Sequence, residues 1–162
     1  MSEIIKVEHL RYVYNAGMPD ETAALDDVSF SIKKGDFVGV MGSTGSGKST
    51  LIAHFNGLNR PTSGKIIIDG RDMWAEGENL RDFRFLVGLV MQYPEYQLFV
   101  AGVIAMRPDC LILDESTAML DPRGRAQVMK TIRNLRDAGI SIVSITHYME
   151  EAAHADRILV MS

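Results

Sequence analysis

The sequence predicts an α/β fold: a parallel sheet core with a small antiparallel sheet attached to it. Short runs rich in valine, isoleucine and phenylalanine alternate with longer segments of helical periodicity. Several of the later runs are apolar throughout, which is typical of strands buried on both faces of a parallel sheet. Alternation of strands and helices favours such a sheet, with right-handed crossover connections.

The first third of the chain predicts the antiparallel part. The candidate strands here are Ile4–Val7, Val28–Ile32 and Lys65–Ile68, and no helical pattern separates the first two. Turn-forming sequences flank them at Lys34–Gly35, Pro61–Gly64 and Asp69–Gly70. We therefore expect a small antiparallel layer that packs on the parallel core.

The parallel core takes the other apolar runs. Its candidate strands are Phe37–Met41, Phe85–Val90, Cys110–Leu113, Ser141–Ile145 and Ile158–Val160. Its candidate helices are Lys48–Asn56, Gly124–Asp137 and Met149–Ala155. The second helix places Val128, Ile132 and Leu135 on one face, the spacing of a helix that packs against a sheet.

Composition narrows the functional classes. With 162 residues the chain is long enough for one domain with a sizeable core. A net charge of −4 argues against nucleic acid as a partner, because nucleic-acid binders present a basic face. The longest apolar runs, Phe85–Met91 and Phe99–Met106, are far shorter than the roughly 18 residues of a membrane span. A single cysteine, Cys110, allows no internal disulfide and fits a reducing compartment.

One glycine-rich motif has the spacing of a phosphate-binding loop. Its residues match G-x-x-x-x-G-K-[ST] at every specified position: Gly42, Ser43, Thr44, Gly45, Ser46, Gly47, Lys48 and Ser49. The motif follows a predicted strand and opens a predicted helix, so backbone N–H groups and the helix dipole can act on one phosphate group. Lys48 supplies a positive charge, and the Ser49 hydroxyl can ligate Mg²⁺. A glycine-rich surface turn is the structural alternative, but spacing and context together favour nucleoside triphosphate binding.

A pair of acids follows the apolar strand Cys110–Leu113. Asp114 and Glu115 stand at its carboxyl end, the edge of an α/β sheet where ligands bind. Asp114 can hold Mg²⁺, and Glu115 can act as a general base toward an attacking water. The pair is a weak signal alone and a strong one beside the phosphate loop.

Taken in order, these elements resemble the ATP-binding subunits of ABC transporters. The elements that match are the loop Gly42–Thr50, Gln92, Asp114–Glu115, the turn Ala118–Asp121 and His147. Tyr14 stands where that family carries an aromatic that stacks on adenine. The segment Gln92–Phe99 is similar to the version in energy-coupling-factor and cobalt-type importers. The resemblance covers nearly the whole chain and implies a P-loop NTPase (RecA-like) core.

The resemblance also implies roles for individual residues. ATP would be held by Tyr14, Gln92, His147 and the loop from Gly42 through Thr50, and Mg²⁺ by Ser49, Gln92 and Asp114. Catalysis would rest on Glu115 as base, on His147 and Gln92 as positioners of the γ-phosphate and water, and on Lys48 as the stabilising charge. Asp121 would contact the opposing subunit. Two alternatives stay open: Tyr14 as an aromatic that covers the core, and His147 as a hydrogen-bonded histidine at a strand end.

The family setting implies partners and a location. We expect a second ATPase subunit in a head-to-tail homo- or heterodimer, and a membrane scaffold subunit of an importer of vitamins or metal ions. The location implied is the cytoplasmic face of the cell membrane, without a transmembrane segment.

Two departures from the family pattern matter. Ser116 stands where the family usually has proline, and the chain holds no Leu-Ser-Gly-Gly-Gln signature. Gln92 and Asp114 are too close together to hold the helical subdomain that carries the signature, as if it had been excised near residues 99–100. We expect one nucleotide-binding domain over 1–162, with its antiparallel part about 3–35 and 64–75 and its P-loop core about 36–63 and 80–162.

Several functions therefore stay open. The chain is the ATPase motor of an importer, or it is a minimal core that binds Mg-ATP and hydrolyses it poorly because the signature is missing. A further possibility is that the natural molecule contains a stretch that this sequence lacks. A soluble relative in translation or chromosome organisation fits less well, because tandem domains and long coiled coils do not appear.

Overall fold

The computed structural model describes residues 2–91 and 96–162. The strands are β1 (Glu3–Tyr14), β2 (Thr22–Lys33), β3 (Phe37–Gly42), β4 (Ser63–Ile68), β5 (Arg71–Asp72), β6 (Val87–Val90), β7 (Cys110–Asp114), β8 (Ser141–Ile145) and β9 (Arg157–Met161). The helices are α1 (Lys48–Phe55), α2 (Leu80–Leu86), α3 (Tyr96–Ala105), α4 (Pro122–Asp137) and α5 (Met149–Ala152).

The antiparallel sheet has the strand order β2-β1-β4-β5. β1 pairs with β2 over most of its length and with β4 on its other side. Irregular register interrupts the pairing near His9 and Asp27, where the backbone has φ values of 48° and 54°. These bulges leave the sheet continuous, so β1 and β2 run much further than their predicted apolar runs.

The second sheet is parallel and has the order β6-β7-β8-β3-β9. Every residue of β7 and β8 is buried, including the polar residues Asp114, Ser141 and Ser144, and the other residues of both strands are apolar. β3, which leads into the phosphate loop, lies between β8 and β9. The carboxyl ends of β3, β7 and β8 therefore meet at one edge, which is where α/β folds bind their ligands.

The two sheets share one hydrophobic core. Ile5 and Leu10 of the antiparallel sheet pack in the same buried cluster as Val40, Ile112 and Phe55, from β3, β7 and α1. A smaller cluster covers the opposite face of the parallel sheet, where α4 contributes Met129 and Ile132. The two clusters therefore place α1 and α4 on opposite faces of the parallel sheet, and this architecture confirms the predicted fold class.

The structure corrects one predicted strand. Phe85 and Leu86 belong to the end of α2, and only Val87–Val90 is strand. Leu80, Phe83 and Leu86 recur every three residues, a helical spacing, and all three pack against the core. Asn79 begins this helix, since its side chain accepts a hydrogen bond from the Arg81 amide at 3.0 Å.

Helix α3 connects β6 to β7 and takes up most of the apolar run Phe99–Met106, for which the sequence predicted no element. A helix here completes a β-α-β crossover between neighbouring parallel strands. Across residues 2–91 and 96–162, no helix has the length and hydropathy needed to cross a membrane.

Candidate functional site

The phosphate loop joins the end of β3 to the first residue of α1. Gly47, the residue before α1, has a φ of 86°, and a Cβ atom there would lie 2.6 Å from the carbonyl oxygen of Ala24. A Cβ atom on Gly42 would lie 2.3 Å from the carbonyl oxygen of Met161. Both distances are too short for any side chain, so the two glycines let β2 and β9 pack closely around the loop.

Lys48 lies inside this loop and is 6% exposed. Its Nζ donates hydrogen bonds to the carbonyl oxygens of Gly42 at 2.9 Å and Ser43 at 2.7 Å. The carbonyl oxygens hold the buried ammonium at the amino-terminal end of α1. A positive charge beside the free N–H groups of a helix end suits phosphate oxygens.

The acid Asp114 ends β7 close to the first turn of α1. The Ser49 hydroxyl donates to its Oδ1 at 3.4 Å. Burial raises the pKa of Asp114 above its usual range, and the Ser49 hydrogen bond opposes that shift. A hydroxyl and a carboxylate side by side are oxygen ligands of the type that Mg²⁺ prefers, so these residues fit the ion.

Glu115 and His147 form the second half of the site. Glu115 Oε1 and His147 Nε2 are 2.7 Å apart. The two residues follow adjacent parallel strands, and the Glu115 amide still donates to the Ile145 carbonyl at 3.1 Å. Glu115 has a φ of 47°, an uncommon conformation for a residue with a side chain. Such strained backbones cluster at functional sites.

One cleft brings the two halves together. Its volume is about 360 Å³, within the usual range of small-molecule sites. Its lining includes these residues that the sequence predicted: Tyr14, Thr44, Gly45, Gly47, Lys48, Ser49, Thr50, Glu115 and His147. The lining also includes Thr22, Ala23 and Ala24 of β2, which the sequence reasoning missed. Small side chains at the start of a strand carry no signal that marks them as part of a site.

Tyr14 reaches the cleft from the end of β1. Its hydroxyl lies 2.9 Å from the Thr50 Oγ1, and its ring packs edge-on against Tyr12 at 4.9 Å. The side chain is 41% exposed. That exposure disfavours the alternative that Tyr14 covers the core, although stacking on adenine stays a prediction.

The other predicted site residues differ in how the structure describes them. Ser43 and Ser46 belong to the loop around Lys48, and Gln92 lies outside the described residues. Asp121 is exposed and caps α4, because its Oδ1 accepts a hydrogen bond from the Gly124 amide at 2.8 Å. This capping role accounts for the aspartate locally, and its contact with a second subunit stays a prediction.

Comparisons with known proteins bear on the family of the chain. A family model described as ABC transporter matches residues 25–99. The energy-coupling factor transporter ATP-binding protein EcfA2 of Caldanaerobacter subterraneus subsp. tengcongensis is 38% identical over 216 residues, covering 98% of this chain and 76% of that protein. EcfA1 of Clostridium perfringens is also 38% identical, over 215 residues, covering 98% and 76%.

Solved structures show the same fold. CbiO1 from Clostridium perfringens, described as part of the ABC transporter complex CbiONQ, is 28% identical with a TM-score of 0.86, covering 100% of this chain and 86% of that one. A dimeric bacterial ABC transporter cassette is 22% identical with a TM-score of 0.89, covering 97% and 94%.

The alignment with EcfA2 also bears on the missing signature. It spans 216 residues, whereas the whole chain has 162, so the relative holds residues that have no counterpart here. Identity at this level over three quarters of a relative establishes the family. The chain therefore belongs to the ATP-binding subunits of ABC transporters, in the group of energy-coupling-factor and cobalt-type importer ATPases.

Proposed function

We propose that this chain binds Mg-ATP in the cleft between the phosphate loop and the Glu115–His147 pair, and that the bound ATP serves to energise a membrane importer. The observation that carries the proposal is the joint lining of one cleft by Lys48, Tyr14, Glu115 and His147. Those side chains provide a cation for phosphates, an aromatic ring, a general base and a hydrogen-bonding imidazole. Together they suit phosphoryl transfer to water.

Each residue then has a defined task. The amide groups of the loop and the Lys48 ammonium bind the phosphates, and Tyr14 stacks on the base. Ser49 and Asp114 hold Mg²⁺, with Gln92 as a further ligand, and the ion supplies charge neutralisation when bound. Glu115 accepts the proton of the attacking water, and His147 orients the γ-phosphate.

We further propose that hydrolysis by this chain is slow. The family signature supplies hydrogen-bond donors to the ATP of the opposing subunit, and the sequence lacks it. Its role is similar to that of an arginine finger given in trans, whose loss lowers turnover by about 10³–10⁵. The alignment spans 216 residues against a chain of 162, so EcfA2 holds residues that have no counterpart in this sequence.

The names of the relatives support a setting in a membrane transporter complex. We propose that residues 1–162 form one nucleotide-binding domain that pairs head-to-tail with a second ATPase subunit, identical or related, with Asp121 at the interface. A membrane scaffold subunit would hold the pair at the cytoplasmic face, and vitamins or transition-metal ions would be the solutes. EcfA2 is named an energy-coupling factor transporter ATP-binding protein, and CbiO1 is described as part of the ABC transporter complex CbiONQ, which supports a setting in a transporter complex.

Calorimetric titration with Mg-ATP and single-turnover hydrolysis test the proposal. Lys48→Ala should abolish binding, because the phosphates lose the buried cation, whereas Lys130→Ala on the exposed side of α4 should bind normally. Glu115→Gln should bind Mg-ATP as the parent chain does and lose hydrolysis. Retained binding in Lys48→Ala would contradict the site, and turnover of about 1 s⁻¹ or faster, the ordinary enzymatic range, would contradict slow hydrolysis.

A further inference from the structure

A buried carboxylate lies behind the Glu115–His147 pair, and none of the steps above uses it. Glu151 of α5 is 7% exposed. Its Oε1 accepts a hydrogen bond from the Thr117 hydroxyl, and its Oε2 accepts one from the Thr146 hydroxyl, both at 2.6 Å. Both threonines are 3% exposed. We call these three residues the Glu151 clamp.

The two arms of the clamp reach the two catalytic loops. Thr117 lies two residues after Glu115, and Thr146 directly precedes His147. The Thr146 Oγ1 also accepts a hydrogen bond from the Tyr148 amide at 3.0 Å, so the backbone on both sides of His147 is tied down. The Glu115–His147 contact in the cleft and the clamp behind it therefore connect the same two loops twice.

The chemistry of the clamp argues for a geometric role. Burying a carboxylate is unfavourable unless hydrogen bonds compensate it, and an apolar residue would fill this position at lower cost. Among the residues that the structure describes, no basic nitrogen lies within 4.0 Å of this carboxylate, so hydroxyl groups are its partners. A rigid carboxylate that accepts one short bond on each oxygen fixes the separation of the two hydroxyl groups.

We propose that Glu151 is a positioning residue for ATP hydrolysis, which holds Glu115 and His147 in their relative placement through Thr117 and Thr146. The inference rests on the proposed function for its kinetic consequence. Its structural consequence, the placement of His147, does not depend on turnover.

Kinetics of Glu151 variants test the first consequence. Glu151→Ala should lower the single-turnover rate about 100-fold, the effect of misplacing a catalytic group by about 1 Å, and leave Mg-ATP affinity unchanged. Glu151→Gln keeps one acceptor oxygen and presents an amide group to the second hydroxyl, so it should recover part of the rate. The matched control is Glu150→Gln, an exposed acid on the same helix, which should behave as the parent chain does.

Histidine ring signals in carbon-edited NMR spectra test the second consequence, with His147 assigned by its own replacement. Glu151→Ala should move the His147 signal and leave those of His9 and His54, which belong to β1 and α1, in place. An unmoved His147 signal would overturn the proposal, as would a rate loss matched by disturbed His9 and His54 signals. Should Glu151→Ala fail to fold, Thr117→Val and Thr146→Val each remove one arm, and unmoved His147 signals in both would overturn it equally. A parent chain that does not bind Mg-ATP would count against the proposed function alone, since the NMR result requires neither nucleotide nor turnover.

Discussion

The backbone of Glu115 makes a prediction that separates conformational strain from chemistry. The residue has a φ of 47°, in the left-handed region that glycine adopts freely. Glu115→Gly and Glu115→Ala both remove the carboxylate and its contact with His147. The difference in stability between the two variants therefore reports the backbone conformation, because both variants have lost the hydrogen bond to His147.

The expected difference follows from two opposing terms. For a residue with a Cβ atom, the left-handed conformation costs about 1–2 kcal/mol of conformational energy. Glycine loses about 0.5–1 kcal/mol more backbone entropy on folding than alanine does. We expect the glycine variant to be more stable than the alanine variant by about 0.5–1 kcal/mol, a shift of roughly 2 °C in Tm for a domain of this size.

Equilibrium urea unfolding of both variants measures this difference. Glu150→Gly and Glu150→Ala form the matched control, because Glu150 is an exposed residue of α5 and glycine should there be the less stable by about 1 kcal/mol. An alanine variant at position 115 as stable as the glycine variant would refute the strain argument. Neither variant should hydrolyse ATP, since both lack the general base.

Two further predictions concern residues around the phosphate loop. Gly47→Ala should reduce Mg-ATP affinity more than tenfold in calorimetry, because its Cβ atom would lie 2.6 Å from the Ala24 carbonyl oxygen. The control is Gly139→Ala, which also has a positive φ but lies in open space, and it should bind Mg-ATP as the parent chain does. His54 is fully buried, and burial lowers its pKa below 6.5, so the unfolded state binds the proton more readily than the folded state. The free energy of unfolding should therefore fall as the pH drops below about 6.5. Urea midpoints measured from pH 7.5 to 5 should depend less on pH in His54→Gln than in the parent chain. An equal dependence in both chains would contradict this prediction.

The fold was predictable where burial alone decides the element. β7 and β8 are covered on both faces, so apolar residues fill most of their positions and Ser141, Ser144 and Asp114 are the exceptions. This lack of alternation between apolar and polar residues can be recognised in the sequence alone. The lengths of β1 and β2 were underestimated, because bulges at His9 and Asp27 interrupt the alternation of apolar residues while the sheet continues. The strand predicted from Phe85 was wrong at its start, because Phe85 is apolar but 49% exposed. The helical spacing of its neighbours places it in α2.

The site was predictable where function demands a fixed local spacing. The loop around Lys48 is contiguous in sequence, and the ends of β7 and β8 mark Glu115 and His147. The contribution of Ala23 and Ala24 depends on how β2 packs over the loop, which is a tertiary relation that no local pattern records. The Glu151 clamp was missed for the same reason, because one acid on a short amphipathic stretch looks like any other until its partners are known.

The position of β3 between β8 and β9 has a consequence for how the protein acquires its activity. The strand that carries the phosphate loop is made early in synthesis, but both of its neighbours in the sheet follow about a hundred residues later. During translation the loop therefore has no sheet to hold it until β8 and β9 have left the ribosome. We therefore expect nucleotide binding to begin only after β8 and β9 have joined the sheet, and retention of a labelled ATP analogue on stalled chains of increasing length would test this order.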